Sequence, residues 1–582
     1  MVPGLWGVIA ETDLDFDLDL SNNFHREKSA SYIIESLDSP KAIFGRMSLD
    51  RFQNDKIFKD EKDIIIGLEG IIFNSNDLLS QTKSSDLFEM LSNSYRDNCN
   101  IFLDKLRGNF SGFIYLSDRN RLTIFTDQLA SKAIYYYYDE VSKILIFASE
   151  LKAVIDGIKQ IGHDLHLNLD GAYCLLTFGY MLGNLTLVSE IKKLPAGNIL
   201  IYEKGKICLQ AYYKLSSTPY IAEDEDKIIN ELDRLFSEAI KLEYEKDLEY
   251  GYKHISTLSG GLDSRTNVAY AKKLNYTDIN CFTFSESGYD DEKIARDISS
   301  DNHFDFIFYS LDNGDYLLTH IDDIISSNGG LIFYAGSAHL YACLRKLSFS
   351  DYGLVHSGQI GDLVMGSYLQ NKSHQKFDSI MLRKMSYSSK LIKRLESFVE
   401  NFDLNYENSE ICAFYERCIN GASNGYRMIE QFTEYSSPFL YLDFLDYAMK
   451  IPPSKRFKES IYIKWINKST PEFSKYKWEK YGLAPKYSLR LMELNKNIQT
   501  FIKRLSRKSS QKGNSMNPFD YWWSSNEILR TGMETAFCDN LEVINNHPEL
   551  KEDLVDLFTT GSVLEKTQAI TLLRAIKILD IS

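Results

Sequence analysis

The stretch "HISTLSGGLDSRTNVAYAKKL", from His254 to Leu274, admits few folds: a strand-like run ends at Leu258, meets two glycines and passes straight into a helical pattern. A strand that turns so abruptly into a helix suits a sheet whose other strands are also followed by helices. The surrounding sequence repeats that alternation. From about Tyr220, amphipathic stretches such as "DEDKIINELDRLFSEAIKLEYEK" interleave with strand-like "DINCFTFS" and "FDFIFYSL". This predicts a parallel sheet covered by helices, the doubly wound α/β class. In the loop, Gly260 and Gly261 are expected to take backbone angles closed to other residues and to leave no side chain in the way, so that successive N–H groups turn toward an anion. The positive end of the following helix adds to that attraction. No lysine follows, so this is not the GxxxxGK[ST] loop, and a cradle this short suits the pyrophosphate end of ATP. Ser259 and Ser264 can donate to phosphate oxygens, and Asp263 fits beside them if it holds Mg²⁺. An ordinary glycine turn that caps a helix is the plain alternative.

Residues 1–210 read differently. Short β-rich runs, among them "KDIIIGLEGIIFN", "GNFSGFIYLSD", "RLTIFTD" and "KILIFASE", are separated by Gly, Asn and Asp clusters, as in packed antiparallel sheets. Three blocks are therefore expected: 1–210, 211–490 and 491–582, the last made of a mobile basic loop near Ile502 to Asn517 and a helical tail. The 582 residues carry 66 Lys and Arg against 81 Asp and Glu, a net charge of −15. That balance speaks against a nucleic-acid groove or an anionic membrane surface as the main partner. No apolar run is long enough for a membrane span, and the acidic start lacks the basic-then-apolar order of a signal peptide, so a cytoplasmic location is expected. Eight cysteines, Cys99 among them, include no CxxC pair and signal neither a zinc site nor a disulfide framework.

The residues Ser259 to Arg265 resemble the signature loop of the ATP pyrophosphatases, which transfer AMP to a substrate oxygen. The flanking segments narrow the family. Phe102 to Ile155 resembles the glutaminase domain of asparagine synthetases, and "TFGYMLGNLTLVSEIKKLPAGNILIY" resembles the crossover from that domain into the synthetase domain. "HSGQIGDLVMG" resembles the second nucleotide loop, SGxGxD, and "SSPFLYLDFLDYAMKIPPSKRF" the helix at the acceptor site. Over about residues 1–485 the chain is identified as a member of the asparagine synthetase superfamily. The resemblance implies an N-terminal αββα sandwich of the class II glutamine amidotransferase type, followed by an ATP-pyrophosphatase domain of the adenine nucleotide alpha hydrolase type.

The implied glutaminase half departs from its pattern. Its nucleophile is normally an N-terminal cysteine whose own α-amino group serves as base, and aligning "GLWGVI" puts Pro3 in that place. The oxyanion segment, normally Asn-Gly-Glu-Ile-Tyr-Asn, reads Glu69-Gly70-Ile71-Ile72-Phe73-Asn74. Glu69 replaces an amide donor with a carboxylate, where losing a single donor already costs about 3–4 kcal/mol. Ile71 replaces the carboxylate that grips the substrate's α-amino group. A retained scaffold without glutaminase chemistry is expected.

The synthetase half matches its family more closely. Asp263 and Asp362 align with the two Mg²⁺-binding carboxylates, and Ser259, Gly260, Gly261 and Ser264 with the pyrophosphate cradle. Leu258, Phe284 and Gly358 align with positions lining adenine and ribose. Lys480 in "KWEKYG" matches the lysine that neutralises pyrophosphate and the tetrahedral intermediate, with neighbouring Lys477 a rival. Two departures fall in the acceptor pocket. Gln359 stands where the family has a glutamate acting on the attacking amine, and Tyr334 lies in the region of its Arg-Ala-Ser-Thr, leaving no cation for the carboxylates of aspartate.

These residues imply an AMP-forming, ATP-dependent amide ligase that adenylates a carboxylate without a working glutaminase. Lys480, Asp263 and Asp362 carry the chemistry, with ATP and Mg²⁺ bound. The departures resemble those of β-lactam synthetases and lasso-peptide cyclases, which implies intramolecular lactam or macrolactam formation, or amidation of a dedicated metabolite. An ammonia-dependent asparagine synthetase and a non-catalytic nucleotide-binding scaffold are the alternatives. The expected partner is a small-molecule or peptide substrate, with a homodimer or a partner biosynthetic enzyme as further candidates; nucleic acid and membrane insertion are not expected.

Overall fold

A computed structural model describes residues 3–14, 19–20, 24, 30–97, 102–402, 406–505 and 515–581. Cys99 lies outside them. The N-terminal strands are β1 (Gly4–Ile9), β2 (Tyr32–Ser39), β3 (Ala42–Leu49), β4 (Ile57–Glu61), β5 (Ile64–Ile72), β6 (Gly108–Leu116), β7 (Arg121–Thr126), β8 (Tyr135–Asp139), β9 (Ile144–Ala148), β10 (Lys192–Lys193), β11 (Asn198–Glu203) and β12 (Lys206–Ala211). They form two six-stranded sheets, ordered β10-β8-β9-β1-β3-β2 and β12-β11-β7-β6-β5-β4. Every pairing in them is antiparallel.

Strand β5 shows why this half reads as continuous apolar runs. Successive side chains point to opposite faces. Ile64, Ile66 and Leu68 face the layer of α1 (Ser75–Thr82) and α2 (Leu87–Asp97), whereas Ile65 packs between the sheets with Phe44, Phe113 and Tyr115. The outer face of the other sheet, with Trp6, Val8 and Ile146, is covered by α3 (Leu151–Gln160) and α4 (Leu169–Phe178). The result is the expected αββα sandwich.

After β12 comes the long helix α5 (Glu225–Glu249), opened by Asp224, whose side chain accepts from the Lys227 N–H. The second half then alternates as expected: β13 (Lys253–Thr257), α6 (Leu262–Lys273), β14 (Ile279–Ser285), α7 (Asp290–Asn302) and β15 (Asp305–Ser310), with β16 (Tyr352–His356) and β17 (Tyr435–Ser436) following. All pair in parallel, in the order β15-β14-β13-β16-β17. The chain steps outward from β13 to β15 and returns on the other side of β13 as β16. Loops leaving β13 and β16 therefore diverge, and the crevice between them is the place where such sheets bind ligands.

The C-terminal block contacts the parallel-sheet half. Ile502, where the sequence predicts the basic loop to begin, lies within the helix Leu489–Leu505, while residues 506–514 of that loop lie outside the described residues. Beyond it, Trp522 is 1 % exposed and donates from its indole to Glu286 Oε2 at 3.0 Å. The last helix, Val563–Leu579, is buried along most of its length and opens with a capping box between Ser562 and Glu565. No described helix is long and apolar enough to cross a membrane.

Candidate active site

The glycine loop leaves β13 as the sequence predicts, but its glycines serve a different purpose. Neither takes a positive φ; Gly261, the N-cap of α6, has φ −71°. What Gly260 provides is room: a Cβ there would lie 2.9 Å from Asp291 Oδ1 and 3.0 Å from the Cβ of Glu479. The loop is cross-braced by its serines. The Ser264 hydroxyl oxygen accepts from the Ser259 N–H at 3.0 Å and lies 3.0 Å from Ser259 Oγ, which accepts from the Gly261 N–H. The Gly260 N–H donates to Asp291 at 2.8 Å, so a carboxylate oxygen sits where the cradle is expected to take a phosphate oxygen. Burial pushes Asp291 up to about 6 despite that bond.

The loop after β16 meets the first one face to face. Gly358 is pressed against the backbone of Asp263 and Ser264, where a Cβ would approach Asp263 C to 2.2 Å. The Asp362 N–H, at the start of the short helix Gly361–Val364, donates to Asp263 Oδ2 at 2.8 Å. Asp263 Oδ1 accepts from Tyr462 at 3.1 Å, a residue of the helix Ser460–Ser469. Burial, then the charges of Asp362 and Glu459, hold the Asp263 carboxyl well above the ordinary range. Three carboxylates thus share one corner, with Lys480 the cation paired to Glu459. Lys477 instead pairs with Asp290 at 2.5 Å, at the start of α7. The segment carrying both lysines is tied down by Arg265, which donates to the carbonyls of Gly260, Tyr476 and Lys477.

Leu258 is buried, and its N–H donates to Phe282 O at 2.9 Å. Pairing of β14 with β13 ends at Thr257 and Phe282, so Thr283 to Ser285 run on beyond that partner. Phe284 is half-buried and packs on His339, ring centroids 4.9 Å apart. Gln359 is 8 % exposed, and neither amide atom of its side chain has a hydrogen-bond partner among the described residues. Tyr334 is wholly buried; its N–H donates to Thr571 Oγ1 of the last helix at 3.1 Å, and its hydroxyl has no hydrogen-bond partner among the described residues.

Sequence reasoning missed Asp291, Glu459, Tyr462 and Arg265. The pair Asp290-Asp291 at the start of a helix that follows a strand was the legible signal for the first. Nothing in "FKESIYIKW" marks Glu459, which has φ 59° and sits beside Lys458 at φ 57°. Two successive non-glycine residues in the left-handed region are a strain that persists only where the surroundings fix it.

In the N-terminal half, Pro3 is buried at the head of β1, and Gly70 has φ 130° with Asn109 O where a Cβ would stand. Glu69 and Ile71 are both wholly buried. Glu69 Oε1 lies 2.8 Å from Lys56 Nζ and accepts from Ser48 Oγ at 3.1 Å. Lys56 reaches Glu434 at 3.5 Å, and Glu434 reaches Lys132 at 2.9 Å, with Glu430 at 3.4 Å from the same lysine. The position expected to have lost an oxyanion donor is therefore one end of a buried charge network that joins the two halves.

Two family models match the chain: a glutamine amidotransferase domain over residues 47–213 and an asparagine synthase over residues 231–416. Among curated proteins, asparagine synthetase B [glutamine-hydrolyzing] of Escherichia coli (strain K12) is 24 % identical over 339 residues, 54 % of this chain and 54 % of that protein. A probable asparagine synthetase [glutamine-hydrolyzing] of Acanthamoeba polyphaga mimivirus is 25 % identical over 427 residues, 70 % of this chain and 68 % of that protein. The match thus spans about half the length of the bacterial relative.

Proposed function

Because the chain belongs to the asparagine synthetase superfamily, we propose that it is an ATP-dependent carbon–nitrogen ligase that forms AMP and pyrophosphate and draws no ammonia from glutamine. The observation that carries this reading is the meeting of Asp263 and Asp362 over the crevice between β13 and β16, with Lys480 paired to Glu459, whose charge reaches Asp263. Burial, then the negative charges of Asp362 and Glu459, raise the Asp263 carboxyl, and a divalent cation relieves such crowding, so the residues present fit Mg²⁺. Asp263 and Asp362 would hold it, and when bound it supplies charge neutralisation for a triphosphate.

In the proposed reaction an oxygen of the substrate carboxylate bonds to the α-phosphorus of ATP and the bond to the β-phosphate oxygen breaks. An amine nitrogen then bonds to the acyl carbon, AMP departs, and the amine gives up a proton. In this reading Lys480 would stabilise the charge on departing pyrophosphate, with Lys477 its rival. Gln359 has no basic group, so the amine's proton leaves to solvent or to the substrate. Glu69 in its ion pair with Lys56 supports the absence of glutaminase chemistry, since a paired carboxylate offers an oxyanion no donor.

The test is release of pyrophosphate and AMP from Mg·ATP with aspartate plus ammonium, with aspartate plus glutamine, and with neither. Asparagine formed with glutamine would refute the glutaminase-free reading. Asparagine formed with ammonium alone would assign the simpler ammonia-dependent synthetase. AMP formation that survives Asp263→Asn would overturn the proposed site.

A further inference from the structure

The seam between the two halves holds a cavity of about 380 Å³, and none of its lining residues belongs to the loops after β13 or β16. That volume is in the range of small-molecule sites. One wall comes from the N-terminal half, with Lys193 of β10 beside the paired ends of β11 and β12 at Asn198 and Ala211. The other is one face of Phe414–Ser423, a full π-helix. Its i→i+5 turns bring Tyr415, Glu416, Ile419 and Asn420 side by side along the cavity. Wide turns of this kind are rare and frequently mark functional sites.

Two donors in these walls lack acceptors. Lys193 is 7 % exposed, and its ammonium has three protons to donate. Among the described residues it finds one acceptor, Asn420 Oδ1 at 3.0 Å, and no paired carboxylate. The Tyr415 hydroxyl accepts from the Leu215 N–H at 3.0 Å, and its own proton has no acceptor among the described residues. The carboxylate nearby is already engaged: Glu416 accepts from the Gly183 N–H at 2.8 Å, from Asn420 Nδ2 at 3.0 Å and from the Tyr406 hydroxyl. Burial and the charge of Arg427 lower Lys193 to about 8, and the charge of Glu416 offsets only part of that. A buried ammonium left short of negative charge is a place for an anion.

The remaining walls are aromatic. Tyr406 and Tyr415 stack with centroids 5.8 Å apart and planes 14° apart. Phe402 and Tyr213 add two more rings, and the Tyr213 hydroxyl is turned to Asp446 at 2.7 Å. One ammonium beside an engaged carboxylate balances a single negative charge, not the two of a phosphate.

We propose that this cavity is a second ligand site, which takes an aromatic monocarboxylate, its charge on Lys193 and the Tyr415 hydroxyl and its ring against Tyr213, Phe402 and Tyr406. The site goes beyond the ligase reading and does not depend on it, because none of its residues holds ATP or the reacting groups in that reading.

The experiment is equilibrium dialysis of the full chain with benzoate, phenylacetate and naphthoate, against neutral benzamide, acetate and inorganic phosphate, with and without Mg·ATP. The expected result is saturable binding of an aromatic carboxylate, one per chain, that benzamide, acetate, phosphate and Mg·ATP at equal concentration do not displace. Lys193→Met keeps the reach of the side chain without its charge and is expected to weaken that binding on the order of 10- to 100-fold. Tyr415→Phe is expected to weaken it roughly 2- to 10-fold. Ala211→Phe fills the cavity from the edge strand β12 with every charge in place, and is expected to abolish binding even if Lys193→Met does not fold; melting temperatures show which variants are folded. Absence of saturable binding by all three aromatic carboxylates would overturn the proposal. So would displacement by benzamide, phosphate or Mg·ATP, or undiminished binding in folded Lys193→Met or Ala211→Phe.

Discussion

The backbone N–H of Asp362 donates to the carboxylate of Asp263 across 99 residues of chain, at 2.8 Å. This bond joins the two loops that leave adjacent strands, and it holds only because Gly358 has no side chain. Gly358→Ala would place a Cβ 2.2 Å from the backbone of Asp263. The expected outcome is a lowered melting temperature, with about 1–3 kcal/mol lost to overpacking, together with weakened Mg·ATP binding. Thermal unfolding and equilibrium dialysis check both.

The two candidate lysines differ in what they touch. Lys480→Met removes the cation beside Glu459 in the carboxylate corner and is expected to lower AMP formation by roughly 10²–10³-fold. Lys477→Met breaks a partly exposed pair with Asp290 and is expected to change stability by less than about 1 kcal/mol. Pyrophosphate release from the two variants, measured side by side, decides which lysine serves the reaction.

Restoring the family's amide at position 69 is expected to harm rather than repair. Glu69→Asn leaves Lys56 buried with Glu434 at 3.5 Å as its remaining carboxylate. Removing one partner of a buried pair typically costs about 3–5 kcal/mol. Denaturant unfolding should show that loss, and glutamine hydrolysis should stay at background.

Beneath the parallel sheet, Asp247 Oδ2 bridges His254 Nδ1 at 2.8 Å and His356 Nε2 at 2.7 Å. Burial opposes the charge on His356, but Asp247 and Glu243 outweigh it and raise the imidazole from 6.5 to about 9. A group raised on folding contributes stability that is complete below its unfolded value and lost as pH climbs through its folded value. Stability should therefore decline between about pH 6.5 and 9. His356→Asn should be less stable at pH 6 and show a flatter decline, as read from denaturation midpoints across that range.

Trp522 is expected to tie the C-terminal block to the sheet. Trp522→Ala removes a fully buried ring and leaves Glu286 without its indole donor. A loss of about 3–5 kcal/mol in a cooperative unfolding transition is expected; a separate, unchanged main transition would show the block to be independent.

Much of this was legible locally. The strand, loop and helix from His254 to Leu274 stand where the pattern put them, because period is a property of adjacent residues, whereas the use of Gly260 as room for Asp291 and Glu479 was not. Asp263 and Asp362 could be named as a pair only through a resemblance, since no local rule relates residues so far apart. Tyr334 was named through the same resemblance, as a departure from the family's Arg-Ala-Ser-Thr, and its hydrogen bond to Thr571 of the last helix was not legible locally.

The sequence by itself determined the two sheet architectures, the loop after β13 and the chemical nature of the residues at the expected glutaminase positions. All of these are short-range facts of alternation, helical spacing and residue type. Only the tertiary structure decided that Glu459 and Tyr462 complete the carboxylate corner, and that Glu69 is held by Lys56 and joined through it to Glu434. The reason is physical: a charge acquires its role from the burial and the opposite charges around it, and both are set by chain segments that meet only when the sheet order reverses between β13 and β16.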